Sequence, residues 1–179
     1  MSKPDDTELV RRCRTGDTRA FDTLLTRYQK PVYNAAYRML SNTDDARDVT
    51  QTVFLKAYEK LDSFNPTFRF FSWVYRIAMN ESVDCLKRRS RTEHLAREPE
   101  TENDGPDDVT EHEISKRRIQ SALMTIKPDY RSVIVLRHFL ECNYAEIGSI
   151  LDIPEKTVKS RLYSGRQLLK EALQDRQQA

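Results

Sequence analysis

Glycine is almost missing: Gly16, Gly105, Gly148 and Gly165 are the only four in 179 residues. A fold of many hairpins needs turn residues at every reversal, so this scarcity argues against a sheet-rich architecture. Long apolar runs are missing too. No stretch reaches the roughly 20 apolar residues that a membrane-spanning helix needs. The opening MSKPDDTELVRRC is polar and lacks the apolar core of a secretion signal. These absences predict a soluble, cytoplasmic chain. Cysteine is sparse and shows no paired spacing. Cys13, Cys85 and Cys142 are odd in number and far apart, which argues against a disulfide framework or a zinc site. They are expected as reduced thiols packed in helices. His138 and Cys142 would share a helix face, but that pair supplies too few ligands for a metal. It reads as structural, and no cofactor is expected.

What is abundant is charge. Charged residues make up 32% of the chain and hydrophobic ones only 38%, a balance that suits two small domains better than one large core. The net charge of +2 hides a pattern. Residues 1–92 carry 17 Lys and Arg against 12 Asp and Glu; residues 93–113 carry 1 against 9; residues 114–179 carry 12 against 7. Two basic blocks flank an acidic strip, as expected of two surfaces for an anionic polymer. Two ordinary solvated domains would share that pattern, so the motifs must decide. The strip EPETENDGPDDVTEHE, residues 98–113, has no Lys or Arg and almost no large apolar residue. It cannot bury enough surface to fold, so it reads as an extended linker. Its charge would keep it off DNA, or suit a basic channel on a partner.

Apolar residues on either side recur at helical spacing. A short helix over Asp6–Arg14 stops near Gly16. Phe21, Leu24, Leu25, Tyr28, Val32, Ala35, Ala36 and Met39 mark a long helix, with a kink expected at Pro31. Ser41-Asn42-Thr43 supplies a turn and an N-cap. Ala46, Val49, Val53, Ala57 and Leu61 form the next stripe, and Asn65-Pro66-Thr67 breaks it. A further helix starts at Phe71, Val74, Ile77 and Ala78 and ends in the basic run Lys87–Arg91. Beyond the linker, helices are expected over Ile114–Thr125, Pro128–Phe139, Tyr144–Leu151 and Pro154–Leu173. The expected fold is all-α: two small helical domains, residues 5–92 and 114–175, joined by an acidic flexible linker at 93–113.

The string YAEIGSILDIPEKTVKSRLY, residues 144–163, has the pattern of a helix-turn-helix. Ala145 and Gly148 are small enough for two helices to cross closely. Ile147, Ile150 and Leu151 face the core, Ile153 packs in the turn, and Val158 and Leu162 pin the second helix. Lys156, Thr157, Lys159, Ser160, Tyr163 and Arg166 remain outside, cations for phosphates and polar tips for base edges. A plain helical hairpin with a charged face would show the same cations. The small residues, the turn and the basic second helix occur together, which favours DNA binding. Upstream, FNPTFRFFSWVYRIAMNESVDCLKRRSR, residues 64–91, interleaves Phe64, Phe68, Phe70, Phe71, Trp73 and Tyr75 with Arg69, Arg76 and the Lys87–Arg91 run. Rings stack on bases while cations meet phosphates, a combination suited to single-stranded DNA. At least half of these rings are expected in the core.

That second motif resembles the promoter-melting region of extracytoplasmic-function (group four) sigma factors of the sigma-70 family. DDARDVTQTVFLKAYEKLDSF, residues 44–64, is similar to their helix that binds the beta-prime clamp of RNA polymerase. IKPDYRSVIVLRHFLECNYAEIGSILDIPEKTVKSRL, residues 126–162, is similar to their domain that reads the -35 element. The resemblance covers nearly everything but the linker. It implies a promoter-specific initiation factor without catalysis of its own. Its partners would be promoter DNA, core polymerase (beta-prime clamp and beta flap), and an anti-sigma factor or a regulatory kinase. It implies that Asn65, Thr67, Phe68, Arg69, Trp73, Tyr75, Arg76, Asn80, Lys87 and Arg88 hold the melted -10 strand. Lys156, Thr157, Lys159, Ser160, Arg161, Tyr163 and Arg166 would meet the -35 duplex. Asp44, Asp45, Asp48, Gln51 and Thr52 would face polymerase.

The chain departs from the family at Arg47 and Thr52, where acidic residues are usual, at Pro66-Thr67 in place of a Gly-Asp pair, and at Ser164, where a basic residue is frequent. Thr52 extends the helical row of Asp44 and Asp48. Phosphorylation there, or at Thr50, would add roughly −1.5 to −2 charge to the row. The simpler reading, that the aspartates suffice, is the favoured one. Two rival functions stand beside the resemblance. A DNA-binding regulator indifferent to polymerase would explain only the C-terminal motif. A phosphoryl-transfer enzyme would need Asp44, Asp45 and Asp48 to hold a metal, although carboxylates at a helix start are common because they favour the helix dipole.

Overall fold

The computed structural model describes residues 5–95 and 111–175, and no strand occurs among them. The chain is all-α. Helix α1 spans Asp6–Arg14, α2 Thr18–Leu40, α3 Thr43–Glu59 and α4 Phe70–Leu95, with a 3-10 turn at Leu61–Ser63. After the acidic segment come α5 Glu111–Met124, α6 Pro128–His138, α7 Tyr144–Leu151 and α8 Glu155–Asp175. Helices therefore occupy both ends of the strip 93–113, and the rest of the expected linker, residues 96–110, lies outside the described residues. No described helix is long and apolar enough to cross a membrane.

Local chemistry sets most of the boundaries. Asp17 caps α2 by accepting the Arg19 amide at 3.1 Å, and Asn42 caps α3 by accepting the Asp45 amide at 2.8 Å. Asn143 and Glu146 form a reciprocal capping box on α7, at 2.8 and 2.9 Å. Pro128 sits in the first turn of α6, where its missing N–H costs nothing. Helix α2 runs through Pro31 as one element from Thr18 to Leu40. One expectation changes: Leu61 does not end the stripe of α3. It lies in the 3-10 turn, still buried at 5% exposure.

The first four helices bury Leu24, Val32, Ala35, Ala36, Met39, Ala46, Val53, Val74 and Ala78 at or near zero exposure. The last four bury Val133, Leu136, Ile147, Ile150, Val158 and Leu162. These sets are one continuous apolar cluster: α7 packs on α4, and α5 and α6 on α2. Polar groups sew the same seam. The side chain of Arg131, 5% exposed, donates to the carbonyl of Met39 near the end of α2. It also reaches the carbonyls of Met124 and Ile126 at the end of α5, at 3.1 and 2.9 Å. Gln120 receives the Arg38 guanidinium at 2.9 Å and donates to the Tyr37 carbonyl at 3.2 Å, and Arg38 lies over the Phe139 ring at 4.6 Å.

Inside the helix-turn-helix, Gly148 is where α7 meets the turn. A Cβ there would lie 2.8 Å from the Ile153 carbonyl oxygen and 3.9 Å from Val158 Cγ2. Ala145, expected to share that role, is exposed and lies outside the close approach.

Two stability outcomes follow. Arg131→Met strands helix-end carbonyls at the seam, and should cost about 3 kcal/mol in urea denaturation followed at Trp73; an unchanged midpoint would mean the guanidinium is dispensable. Gly148→Ala pushes a methyl into backbone that cannot rotate away and should cost about 1–3 kcal/mol. Ala145→Ser, on the exposed side, should be near neutral; equal losses at both positions would contradict the close approach at Gly148.

Candidate nucleic-acid interface

The aromatic motif divides between core and surface. Phe64, Phe70 and Tyr75 are buried at 3%, 2% and 7% exposure, while Phe68 is exposed at 58%. Burial, with a smaller contribution from Cys142, pushes the Tyr75 hydroxyl up to about 12. Tyr75 packs edge-on to Tyr28 and tilted against Phe71, so its ring is a core ring in this arrangement, unavailable for stacking on a base. Trp73 stands between the two worlds. It packs on Phe64 and Phe70 with centroids 5.2 and 5.8 Å away, yet remains partly exposed.

Its exposed side opens into a cavity of about 220 Å³ lined by Ser63, Phe64, Asn65, Phe68, Ser72, Trp73, Arg76 and Ser149. That volume exceeds the roughly 150 Å³ that admits a benzene ring in an engineered cavity. The loop forming its rim is ordered by its own side chains. Asn65 Oδ1 accepts the Thr67 amide at 3.0 Å and the Thr67 hydroxyl at 2.8 Å, an Asx turn that Pro66 suits. Asn65, Thr67, Phe68, Arg69 and Asn80 are all exposed. Arg76 donates to the Ser149 carbonyl, and Arg69 pairs with Glu146 at 3.3 Å. Helix α7 of the second half thus holds two of the cations expected to meet the strand. Lys87 and Arg88 lie further along the exposed side of α4. Lys87 and Arg91 line an open cleft with Lys127 and Asp129 of the other half.

On α8, Lys156, Lys159, Ser160, Tyr163 and Arg166 are exposed, with Tyr163 at 69%. Lys159 Nζ sits 5.9 Å from the Tyr144 ring centre, and Arg166 Nε donates to His138 Nε2 at 3.3 Å. Burial, then the charges of Arg166 and Arg137, lower the pKa of His138 and favour the neutral ring that can accept. Thr157 and Arg161 are half-buried, and Arg161 pairs with Asp129 at 3.4 Å, at the edge of the outer face. Cys142 is buried, with its thiol pushed up to about 12 mainly by burial. The His138–Cys142 pair is thus divided between an arginine contact and the core.

On α3, Asp44 and Asp48 are exposed, as is Gln51, while Thr52 is partly covered. Arg47 pairs with Asp44 at 3.1 Å, and Asp45 turns toward Arg89 of α4 at 3.8 Å. The row continues into Leu55 and Tyr58, exposed at 65% and 54%. These two were not read as surface residues from the sequence, although their spacing from Asp48 and Gln51 carries the signal. Ser63, Phe64, Ser72 and Ser149 also line the cavity without having been singled out as site residues. Nothing in the local pattern marks Ser149, because it arrives from the other half of the chain.

Residues 24–92 match the family described as sigma-70 region 2, and residues 116–169 match sigma-70, region 4. The chain is 34% identical over 178 residues to the ECF RNA polymerase sigma factor SigW of Bacillus subtilis, covering 93% of this chain and 95% of that one. It is 32% identical over 181 residues to the ECF RNA polymerase sigma-E factor of Escherichia coli, covering 94% of each. Among solved structures, CnrH in complex with the cytosolic domain of CnrY superposes with a TM-score of 0.73 at 25% identity, covering 95% of this chain and 97% of that one.

Proposed function

The chain belongs to the extracytoplasmic-function sigma factors of RNA polymerase, and from that membership we propose how its parts divide the work of promoter-specific initiation. Residues 5–92 bind core polymerase and capture the melted -10 strand; residues 114–175 read the -35 duplex. The factor works with polymerase in the cytoplasm, and polymerase supplies all the chemistry. The observation that carries this reading is the cavity beside Trp73. A flipped base needs aromatic walls, polar groups for its edge and a cation for its phosphate. Phe64, Phe68 and Trp73 supply the walls, Asn65 and Ser72 the polar groups, and Arg76 the cation. Asn80, Arg69, Lys87 and Arg88 extend a polar and basic track beside it. Tyr75 supports these walls from the core.

The exposed cations of α8 suit phosphates flanking a major groove, with Ser160 and Tyr163 at its base edges. Thr157 and Arg161 contribute from the margin. On α3, Asp44, Asp48 and Gln51 offer an acidic face to the beta-prime clamp, and Leu55 and Tyr58 add an apolar end. Asp45, held by Arg89, contributes less. The region 4 half would meet the beta flap. An anti-sigma factor is the natural regulatory partner, since CnrH is seen in complex with the cytosolic domain of CnrY, and the sigma factor RpoE of Bartonella quintana with the anti-sigma factor NepR.

Transcription in vitro with core polymerase, with start sites mapped, tests the whole reading; absence of specific starts would overturn it. Phe68→Ala with Trp73→Ala should leave -35 duplex binding intact and impair opening, since each lost stack costs about 1–3 kcal/mol. Permanganate footprinting of the bubble reads this directly, and normal opening by the folded double variant would remove the cavity from the mechanism. The α3 face yields a separate outcome. A switch by phosphorylation at Thr52 requires that Arg47→Glu or Thr52→Glu tighten core binding, with a gain that shrinks as salt rises. If neither helps, the aspartates are enough and a kinase acting at Thr52 has no role.

A further inference from the structure

Arg14 is the last residue of α1, and it lies outside the stretch matched to region 2. Its guanidinium reaches across the chain to the 3-10 turn that leads into the cavity rim. Nε and Nη2 donate to the Leu61 carbonyl at 3.2 and 2.8 Å, and Nη2 also donates to the carbonyls of Asp62, at 3.0 Å, and Phe64. The Leu61 carbonyl also accepts the Phe64 amide at 3.1 Å, which closes the turn, and the carbonyls of Asp62 and Phe64 follow at its end. Phe64 is the hinge of this arrangement. Its carbonyl is held by Arg14, its ring packs on Trp73 and Phe70 and lines the cavity, and the next residue begins the Asx turn.

The support behind Arg14 is rigid. Leu9 and Val10 of α1 are buried at 1% and 2% exposure. Asp6 accepts from Tyr28 and pairs with Arg27 on α2, and Arg12 pairs with Asp17 at 2.6 Å across the turn at Gly16. An element fixed at both ends presents a planar fork to a row of carbonyls. Arginine suits this task and lysine does not, because a single ammonium cannot span the row.

We propose that Arg14 is a positioning residue for strand capture: it holds the turn at Leu61–Phe64 so that the Phe64–Trp73 wall and the loop from Asn65 stand ready for a base. This rests on the reading of the cavity as the -10 strand site. Ordering the loop beforehand removes an entropic cost that the strand would otherwise meet on binding. Arg14 need not touch the strand itself.

The test uses holoenzyme, reconstituted from core polymerase and the full chain. The probe is a labelled single strand carrying the -10 sequence of a promoter mapped with the wild-type holoenzyme. Arg14→Ala should weaken strand binding roughly tenfold, and Arg14→Lys should recover little of it. Core binding and affinity for the -35 duplex should stay unchanged. Arg11→Ala is the control. It removes an exposed ion pair with Glu8 from the same helix end without touching the turn, and should bind the strand as the wild type does. The slope of affinity against salt should also be unchanged in Arg14→Ala. A slope reduced by about one would mean that Arg14 contacts a phosphate, and would overturn the positioning role. Full recovery by lysine, an equal loss in Arg11→Ala, or strand binding by Arg14→Ala equal to the wild type would each overturn it as well. Failure of the wild-type holoenzyme to bind the strand at all would instead overturn the reading of the cavity, and the inference with it.

Discussion

The seam between the two halves depends on one buried cation. Arg131 is 5% exposed, and burial lowers its pKa; its two terminal nitrogens donate to backbone carbonyls, while its buried Nε has no hydrogen-bond partner among the described residues. Carbonyls at helix C-termini carry the negative end of the backbone dipole. By collecting them from α2 and α5, a single side chain satisfies two helix ends and fixes the distance between two domains. The apolar residues around it gain a defined partner surface, which is why Val133, Val135 and Leu136 of α6 belong to the same cluster as Met39 and Ala36 of α2. The continuous apolar packing and the Arg38–Gln120 and Arg76–Ser149 bonds join the halves beside it.

This relation bears on the nucleic-acid surfaces. Helix α7 sits against α4, where its Ser149 lines the cavity and takes Arg76, and its Glu146 takes Arg69. A DNA strand in the same place would need the same two cations. On the proposed reading, strand phosphates would compete with α7, and unequally at the two points. The Arg69–Glu146 pair is 75% exposed on the arginine side and contributes little. The Arg76 bond lies in a half-buried place and joins a charge to a carbonyl, so it is the stronger of the two. On α8, Lys159 lies 5.9 Å from the centre of the Tyr144 ring of α7, and Arg161 pairs with Asp129 of α6.

How much of this was legible in the sequence depended on range. Contacts within one turn of helix were readable. Asn42 as a cap, Pro128 in a first turn and the Tyr144–Leu151 helix all follow from neighbours a few residues away. The aromatic motif was readable as a class, including the expectation that at least half its rings are core, but the individual rings were not assignable. Tyr75 and Trp73 are two positions apart on α4, far enough for the helix to turn one toward Tyr28 and the other toward the cavity. Three interactions that pattern could not reveal span long separations: Arg14 to Phe64, Arg76 to Ser149 and Arg131 to Met39. Each joins a side chain to a backbone carbonyl, and a carbonyl leaves no mark on the identity of its residue. Arginine in a basic block looks like a nucleic-acid contact until the fold shows which carbonyls it reaches.

That ambiguity has a physical resolution in the two kinds of arginine here. Arg131 is buried and Arg38 half-buried, they bond to carbonyl and amide oxygens, and burial lowers the pKa of both. Arg69, Arg88 and Arg166 are exposed. A charge already surrounded by carbonyls would lose several good bonds to reach a phosphate, whereas an exposed one exchanges only water and a weak pair. The net charge of a block therefore overstates its capacity for DNA. The C-terminal block carries 12 Lys and Arg, but Arg131 is committed to the seam, and Arg137 donates to the Cys142 carbonyl at 3.0 Å. Of the cations that remain, those proposed to meet the duplex lie on one exposed face of α8. There Lys156, Lys159 and Arg166 recur with the period of the helix, and Tyr163 stands among them with most of its ring in solvent.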